Sequence, residues 1–406
     1  MIKRIAVSVA GVLALSLSAM ALPGAQAAPL APRASTHSAR VCRVSISPDR
    51  VGCFARVRTD INGMPLVTPS VPSGLGPTQF HAAYQLPTTA TGNQTIAIVD
   101  AYKNPNVFKD LKAYNLAFGL PVFPKCSATH KKSCFQVLNQ NGTATPLPAG
   151  NTGWGLEIDL DVQVAHAVCQ NCKIMLIEAA SDDFTDIEAA VNRAVTKGAK
   201  VVSNSYGDYG NDCAEPGYDH PNVAIVVSSG DAGYQVSCPA VLNTVVSVGG
   251  THLTLAGDGT YGSESVWSGS GSGCSLFSTA RSWQTSLSGY AAIGCGANRG
   301  MNDVAAVADP ASGAAVYDSY GYGGWMVVGG TSLSAPLIAA TYALAGNASS
   351  WAYPAQSVYA APSSSFNDVT SGSNGSCVPL LSLKCTAGVG YDLPTGVGTP
   401  KGLGGF

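Results

Sequence analysis

Short β-branched runs alternating with stretches of helical periodicity set the narrowest limit on how this chain can fold. Thr95–Asp100 (TIAIVD), Lys173–Glu178 (KIMLIE), Lys200–Ser203 and Val223–Ser228 each suit one buried strand. Between them, residues 155–168 and Asp183–Lys197 read as helices, the second carrying Phe184, Ile187, Ala190, Val191, Ala194 and Val195 on one face. Gly198 is placed to end it. Strands alternating with helices imply a parallel sheet covered by helices on both faces. The expected class is therefore α/β, with functional side chains at the carboxyl ends of the strands and the adjoining helix starts.

The chain opens with Lys3 and Arg4, the apolar run Ile5–Leu22, and then Ala25-Gln26-Ala27, where small residues occupy the two positions a signal peptidase reads. Residues 1–27 are expected to be a secretory signal cut after Ala27. Gly11, Ser16 and Ser18 interrupt the run and argue against a membrane anchor. The mature protein is thus expected to be extracellular and free of the membrane. From Ala28 to residue 73 the chain is rich in Pro, Ser, Arg and Thr and lacks sustained periodicity, so it reads as a short pro-segment or N-terminal arm, separable from a catalytic domain over 74–406.

All 12 cysteines lie beyond the signal, an even number in an exported chain, so an oxidised framework is expected. Spacing does not fix the connectivity; pairing in sequence order, which closes six short loops, is the working expectation. Cys169-x-x-Cys172 is expected to be a structural disulfide, since no second pair stands at zinc spacing. Charged residues make up 11% of the chain and the net charge is −2, leaving no basic footprint for nucleic acid. A monomer is expected.

Gly329-Gly330-Thr331-Ser332-Leu333-Ser334-Ala335-Pro336 leads into a helix-like apolar stretch. A serine where a glycine turn enters a helix stands near free amide donors and the positive end of the helix dipole, with Pro336 expected within the first turn. Such a serine is either a nucleophile or a helix cap, and this segment alone does not choose. A nucleophilic hydroxyl needs a base. The six histidines, His37, His81, His130, His166, His220 and His252, form no catalytic pattern. His166 lies about half a turn around the helix from Glu157 and is expected to pack.

The same helix offers Glu157 and Asp161 at i and i+4, two carboxylates on one face of an otherwise apolar stretch, with Asp159 pointing away. A third acid, Asp231, follows Ser228-Ser229-Gly230 at the end of a strand pattern. It is either a turn residue or, kept neutral by burial, a hydrogen-bond donor to an oxyanion.

Glu157-x-x-x-Asp161, Ser229-Gly230-Asp231 and Gly329-Gly330-Thr331-Ser332-x-x-x-Pro336, in this order and at these separations, resemble the sedolisin family of serine-carboxyl peptidases. Gly74-Leu75-Gly76-Pro77-Thr78, Trp283-Gln284 and the stretch from Asp303 to Pro310 add to the likeness, which covers residue 74 to the C-terminus. The resemblance implies a subtilisin-like parallel sheet flanked by helices, and a secreted endopeptidase that acts on proteins or peptides in acid. It would make Ser332 the nucleophile, Glu157 its general base, Asp161 the residue that orients Glu157 and shares its proton, and Asp231 the oxyanion donor. It also implies one structural Ca²⁺, held by the side chains of Asp368 and Asp392 and the carbonyls of Val369, Gly388 and Gly390, hard oxygen ligands of the kind this ion takes. Without the resemblance those segments are ordinary Gly/Asp turns. The family's long pro-domain has no counterpart of similar length here, with about 45 residues between the signal cut and the catalytic region.

Two other readings compete. One is a subtilisin-type hydrolase using Asp100, a histidine and Ser332; it lacks a histidine in a suitable context. The other is an inactive exported binding protein on the same scaffold, which fold alone does not exclude.

Overall fold

Three short strands come first: β1 (Ser38–Arg40), β2 (Gly52–Cys53) and β3 (Arg56–Arg58), followed by α1 (Pro77–Tyr84). Strands and helices then alternate through β4 (Thr95–Ala101), α2 (Val107–Phe118), β5 (Phe135–Asn139), α3 (Thr152–Val168), β6 (Lys173–Ala179), α4 (Phe184–Thr196) and β7 (Val201–Asn204). After β8 (Tyr206–Gly207), β9 (Ala224–Ser228), β10 (Val246–Leu255) and β11 (Tyr261–Val266), the chain forms β12 (Val304–Val307), β13 (Ala314–Asp318) and β14 (Gly324–Gly329) and enters α5 (Thr331–Ala345). This computed structural model describes residues 37–406 apart from 44–46, 48, 211–212 and 214. The expected export signal lies outside the described residues, among which no helix is long and apolar enough to cross a membrane.

The central sheet runs in the order β11-β10-β9-β7-β4-β6-β5, with β12 also paired to β10. All its pairings are parallel except that of β11 with β10. β4 shows why residues 96–99 form an unbroken apolar run. Ile96 and Ile98 pack on one face among Leu156, Leu160 and Leu333 of α3 and α5, while Ala97 and Val99 pack on the other against Ile187 and Val191 of α4. A strand covered on both faces has no place for the polar alternation of a half-exposed one. The chain lays β6 and β5 to one side of β4 and then crosses to β7 on the other, so the carboxyl ends of β4 and β7 flank a topological switch point where a crevice opens.

The N-terminal arm does not stand apart. β1 and β3 join β14 and β13 in a second, antiparallel sheet of order β1-β3-β14-β13, and β2 pairs with β8. All six disulfides connect neighbouring cysteines in sequence order: Cys42–Cys53, Cys126–Cys134, Cys169–Cys172, Cys213–Cys238, Cys274–Cys295 and Cys377–Cys385.

Candidate active site

Asn151 starts α3 by accepting hydrogen bonds from Gly153 N at 3.0 Å and Trp154 N at 3.1 Å, satisfying two amides that the helix itself leaves free. From that start Glu157 and Asp161 fall one turn apart, and neither is exposed to solvent. α3 packs against α5, which begins at Thr331, so the carboxylate pair meets the Ser332 end of that helix. The fully buried Ser332 Oγ donates to Ser205 O at 3.0 Å and is close enough to Glu157 to favour its ionised form. Glu157 Oε1 has no hydrogen-bond partner and is the acceptor left open to that hydroxyl. Asp161 Oδ1 takes the Ser205 hydroxyl at 2.9 Å.

Pro336 falls in the second turn of α5 rather than in the first, where the sequence placed it. Its missing N–H leaves the Ser332 carbonyl without its i+4 helical donor, and Ser205 Oγ lies 3.4 Å from that oxygen. Ser205 thereby touches both the acid pair and the backbone of Ser332, a role that nothing in its sequence context announces.

Asp100 also belongs to this cluster. It is the penultimate residue of β4, fully buried, with neither carboxylate oxygen hydrogen-bonded, and burial lifts its pKa to about 8. Desolvation first and the field of Asp100 second hold both Glu157 and Asp161 well above the usual carboxylate range. Acids this close and this dry cannot all ionise together, so the cluster retains protons far above the ordinary carboxylate pKa. The β-branched run Thr95–Asp100 marked Asp100 only as a strand end, and it entered the sequence reading only through the histidine-dependent alternative. Among the described residues, the main groups that shift Glu157, Asp161 and Asp231 include no histidine. His166 stacks on Phe123 with ring centroids 4.1 Å apart, and burial pushes its pKa down to about 4. Asp159, on the far side of α3, accepts from Asn104 Nδ2 at 2.6 Å and brings an oxygen within 4.8 Å of others from Asp110 and Asp318.

Asp231 follows β9 and reaches the start of α5. Its Oδ1 accepts from Thr331 N at 2.9 Å and from Thr331 Oγ1 at 3.0 Å, while Oδ2 is buried without a partner. Burial raises its pKa to about 6, with the two Thr331 bonds and Arg56 and Arg40 pulling the other way. Gly330 permits this approach. Its φ is +96°, and a Cβ there would strike Phe54 O and lie 2.8 Å from Asp231 Oδ2. The arm itself passes through this space, and Ala55 N donates to Glu157 Oε2 at 2.9 Å.

The five residues expected to hold a cation lie near one another at the C-terminal end. Asp368 Oδ2 accepts from Gly390 N and Asp392 Oδ2 from Gly388 N, each at 3.0 Å, and Val369 is fully buried. Asp392 has its pKa lifted to about 7, by burial first and with a contribution from Asp368. Two carboxylates beside glycine-rich turns match the donor chemistry of a hard cation.

The subtilase family pattern matches residues 139–371, more than half of the chain. Sedolisin from Pseudomonas sp. (strain 101) is 28% identical over 80% of this chain and 60% of its own length. Kumamolisin from Bacillus sp. (strain MN-32) is 31% identical over 64% of this chain and 52% of its own length. The chain therefore spans little more than half the length of these curated relatives. Among solved structures, Pseudomonas sedolisin, a serine-carboxyl proteinase complexed with two molecules of pseudo-iodotyrostatin, superposes with a TM-score of 0.68 at 27% identity, covering 82% of this chain and 96% of that one. The chain belongs to the subtilase family, and its relatives there are the sedolisin-type serine-carboxyl peptidases.

Proposed function

We propose that this protein is a secreted serine-type endopeptidase that hydrolyses proteins or peptides in acid. The observation that carries the proposal is the buried, histidine-free meeting of the Ser332 hydroxyl with the Glu157 and Asp161 pair. Ser332 Oγ attacks the scissile carbonyl while Glu157 takes its proton. Asp161, one turn along, shares the proton held by the pair and fixes the orientation of Glu157. Glu157 then passes the proton to the departing amine, and water repeats the sequence on the acyl-enzyme.

Negative charge forming on the carbonyl oxygen needs a donor. Asp231, protonated on Oδ2 because Oδ1 is engaged by Thr331, supplies it. That role requires the acid to be neutral, so with a pKa near 6 the donor is present below that pH and lost above it. A structural Ca²⁺ bound by Asp368, Asp392 and the carbonyls of Val369, Gly388 and Gly390 would pin the C-terminal turns together and neutralise two acids that otherwise repel.

The test is hydrolysis of denatured protein between pH 3 and 7 by the secreted protein and by its Ser332→Ala variant. Cleavage in acid that fades through about pH 6 and is absent from the variant is expected. Cleavage that survives unchanged in Ser332→Ala would falsify the mechanism.

A further inference from the structure

Three carboxylates from distant parts of the chain converge on the side of α3 opposite the Glu157 and Asp161 pair. Asp110 comes from α2, Asp159 from α3 and Asp318 from the end of β13, and one oxygen of each lies within 4.8 Å of the other two. All three side chains are fully buried. None of the ion pairs among the described residues reaches them. Burial first, and the fields of Asp110 and Asp318 next, hold Asp159 well above the usual carboxylate range. Like charges packed this tightly need either protons or a cation between them.

The pattern of engaged and free oxygens favours the cation. Asp110 Oδ1 accepts from Ser319 Oγ at 2.6 Å and its Oδ2 from Ser319 N at 3.0 Å. Asp318 Oδ1 accepts from Gly321 N at 2.7 Å and Tyr322 N at 2.8 Å, and Asp159 Oδ2 from Asn104 Nδ2 at 2.6 Å. Each carboxylate is thereby oriented from outside by donors, as the ligands of a metal are. Asp159 Oδ1 and Asp318 Oδ2 remain, buried and without a hydrogen-bond partner, and two unmatched oxygens of this kind cost stability that a bound ion restores. Asp159 and Asp318 are close enough to share one proton, which neutralises one charge of three. A divalent ion neutralises two and engages Asp110 as well.

The donors are oxygens only, with no histidine or cysteine among the three, which selects a hard cation over zinc or copper. Ca²⁺–oxygen distances of about 2.3–2.6 Å put opposed ligands about 4.6–5.2 Å apart, a span that accommodates the 4.8 Å found here. Mg²⁺ needs a tighter shell and keeps several of its waters, for which a buried site of three carboxylates leaves little room. Three carboxylates around a divalent ion leave one negative charge, and exposed Lys109, whose Nζ donates to Ser319 Oγ at 3.3 Å, stands beside it. We propose that Asp110, Asp159 and Asp318 form a calcium site of their own, sharing no residue with the C-terminal turns, and that the ion ties α2 and the end of β13 to α3. Asp159 lies two residues from Glu157 and two from Asp161, so the ion fixes the rotation of the helix that carries the acid pair. Binding at this site does not depend on the peptidase reading; only its effect on turnover does.

The experiment strips the full Ser332→Ala chain of metal with a chelator, then measures calcium bound per chain by equilibrium dialysis at neutral pH, with melting curves in calcium and in chelator. Asp159→Asn in that background keeps the side chain's shape and its place against Asn104 while removing a ligand charge. It is expected to bind one calcium fewer, and Asp392→Asn is expected to retain that ion. Ser319→Ala removes only the hydroxyl that orients Asp110 and should weaken the same ion about 10- to 100-fold, the usual cost of losing a partner that orients a ligand. Asp159→Asn should melt at or above its parent in chelator and below it in calcium, a reversal that a merely structural aspartate does not produce. Unchanged stoichiometry in a folded Asp159→Asn overturns the site and marks the three acids as a proton-sharing cluster. Unchanged affinity in Ser319→Ala overturns it as well, and decides the matter if Asp159→Asn does not fold. Loss of the same ion in Asp392→Asn assigns it to the C-terminal turns and sinks the proposal. None of these outcomes touches peptide cleavage by wild type, which tests the peptidase reading separately.

Discussion

Asp231 Oδ1 takes both the amide and the hydroxyl proton of Thr331, at 2.9 and 3.0 Å, so any proton on this carboxyl must sit on Oδ2, which faces the space beside Gly330. On the proposed mechanism, this asymmetry makes the titrating acid an aimed donor. Asp231→Ala is expected to lower kcat by about 10²- to 10³-fold, the usual cost of losing one oxyanion donor. Asp231→Asn, whose amide donates at every pH, should retain part of the activity and lose the decline centred near pH 6. A pH–kcat profile of the two variants checks both statements, and an unchanged high-pH limb in Asp231→Asn would assign that limb to another group.

Glu157→Gln removes the proposed proton acceptor while keeping the side chain's shape and the hydrogen bond from Ala55 N. Turnover should fall by about 10²- to 10⁴-fold, the range expected for losing general base catalysis. Because burial already disfavours the charge at this position, the melting temperature of the variant should equal or exceed that of wild type. A variant that loses activity only because it unfolds would show a lowered melting temperature instead.

The buried acids also set how stability depends on pH. Asp100 and Glu178 both titrate near 8 in the fold, against about 4 when unfolded, with burial the main cause in each. Between those values the folded chain binds more protons than the unfolded one, so this stability is complete below about pH 4 and is lost as pH rises through about 8. Thermal melts of Ser332→Ala, which is spared self-digestion, should show a falling melting temperature from pH 4 to pH 8. Asp100→Asn in that background should flatten the fall, and a melting temperature that rises over this range contradicts the assignment.

Calcium removal should act at a distance from the chemistry. Chelation at neutral pH is expected to lower the melting temperature, because an ion bound only by the folded chain stabilises it in proportion to the logarithm of its free concentration. Asp392→Asn should lower the melting temperature in calcium and abolish the difference between calcium and chelator. Calorimetric titration of the metal into Ser332→Ala gives a readout independent of activity.

Gly330→Ala tests the space that carbonyl oxygens are meant to occupy. A methyl group there meets Phe54 O and imposes a side chain on a backbone with φ +96°. Activity on added peptide should drop at least a hundredfold, with a destabilisation of about 1–2 kcal/mol from the strained conformation. Full activity with normal stability would move the oxyanion site elsewhere.

Much of this architecture is legible in the sequence. The runs around Thr95, Lys173, Val201 and Ala224 declared buried parallel strands through unbroken β-branched stretches, and the Glu157/Asp161 spacing declared a shared helical face. Those signals are local, since helical pitch and strand pleat fix side-chain direction within a few residues. The turn position of Pro336 was misjudged because helix starts are the least sharply encoded part of a helix, and here α5 begins at Thr331.

What the sequence determined by itself was the alternation of elements, the oxidised cysteine framework, and which acids and which serine stand at helix starts and strand ends. Only the tertiary structure decided that Asp100 joins the acid pair, that Ser205 spans it to the Ser332 backbone, and that the Phe54–Ala55 bond lies between Glu157 and Gly330. The reason is physical. Burial and electrostatic coupling are set by groups a hundred residues away in the chain, and a low-dielectric cluster exists only once the packing that excludes water has closed around it.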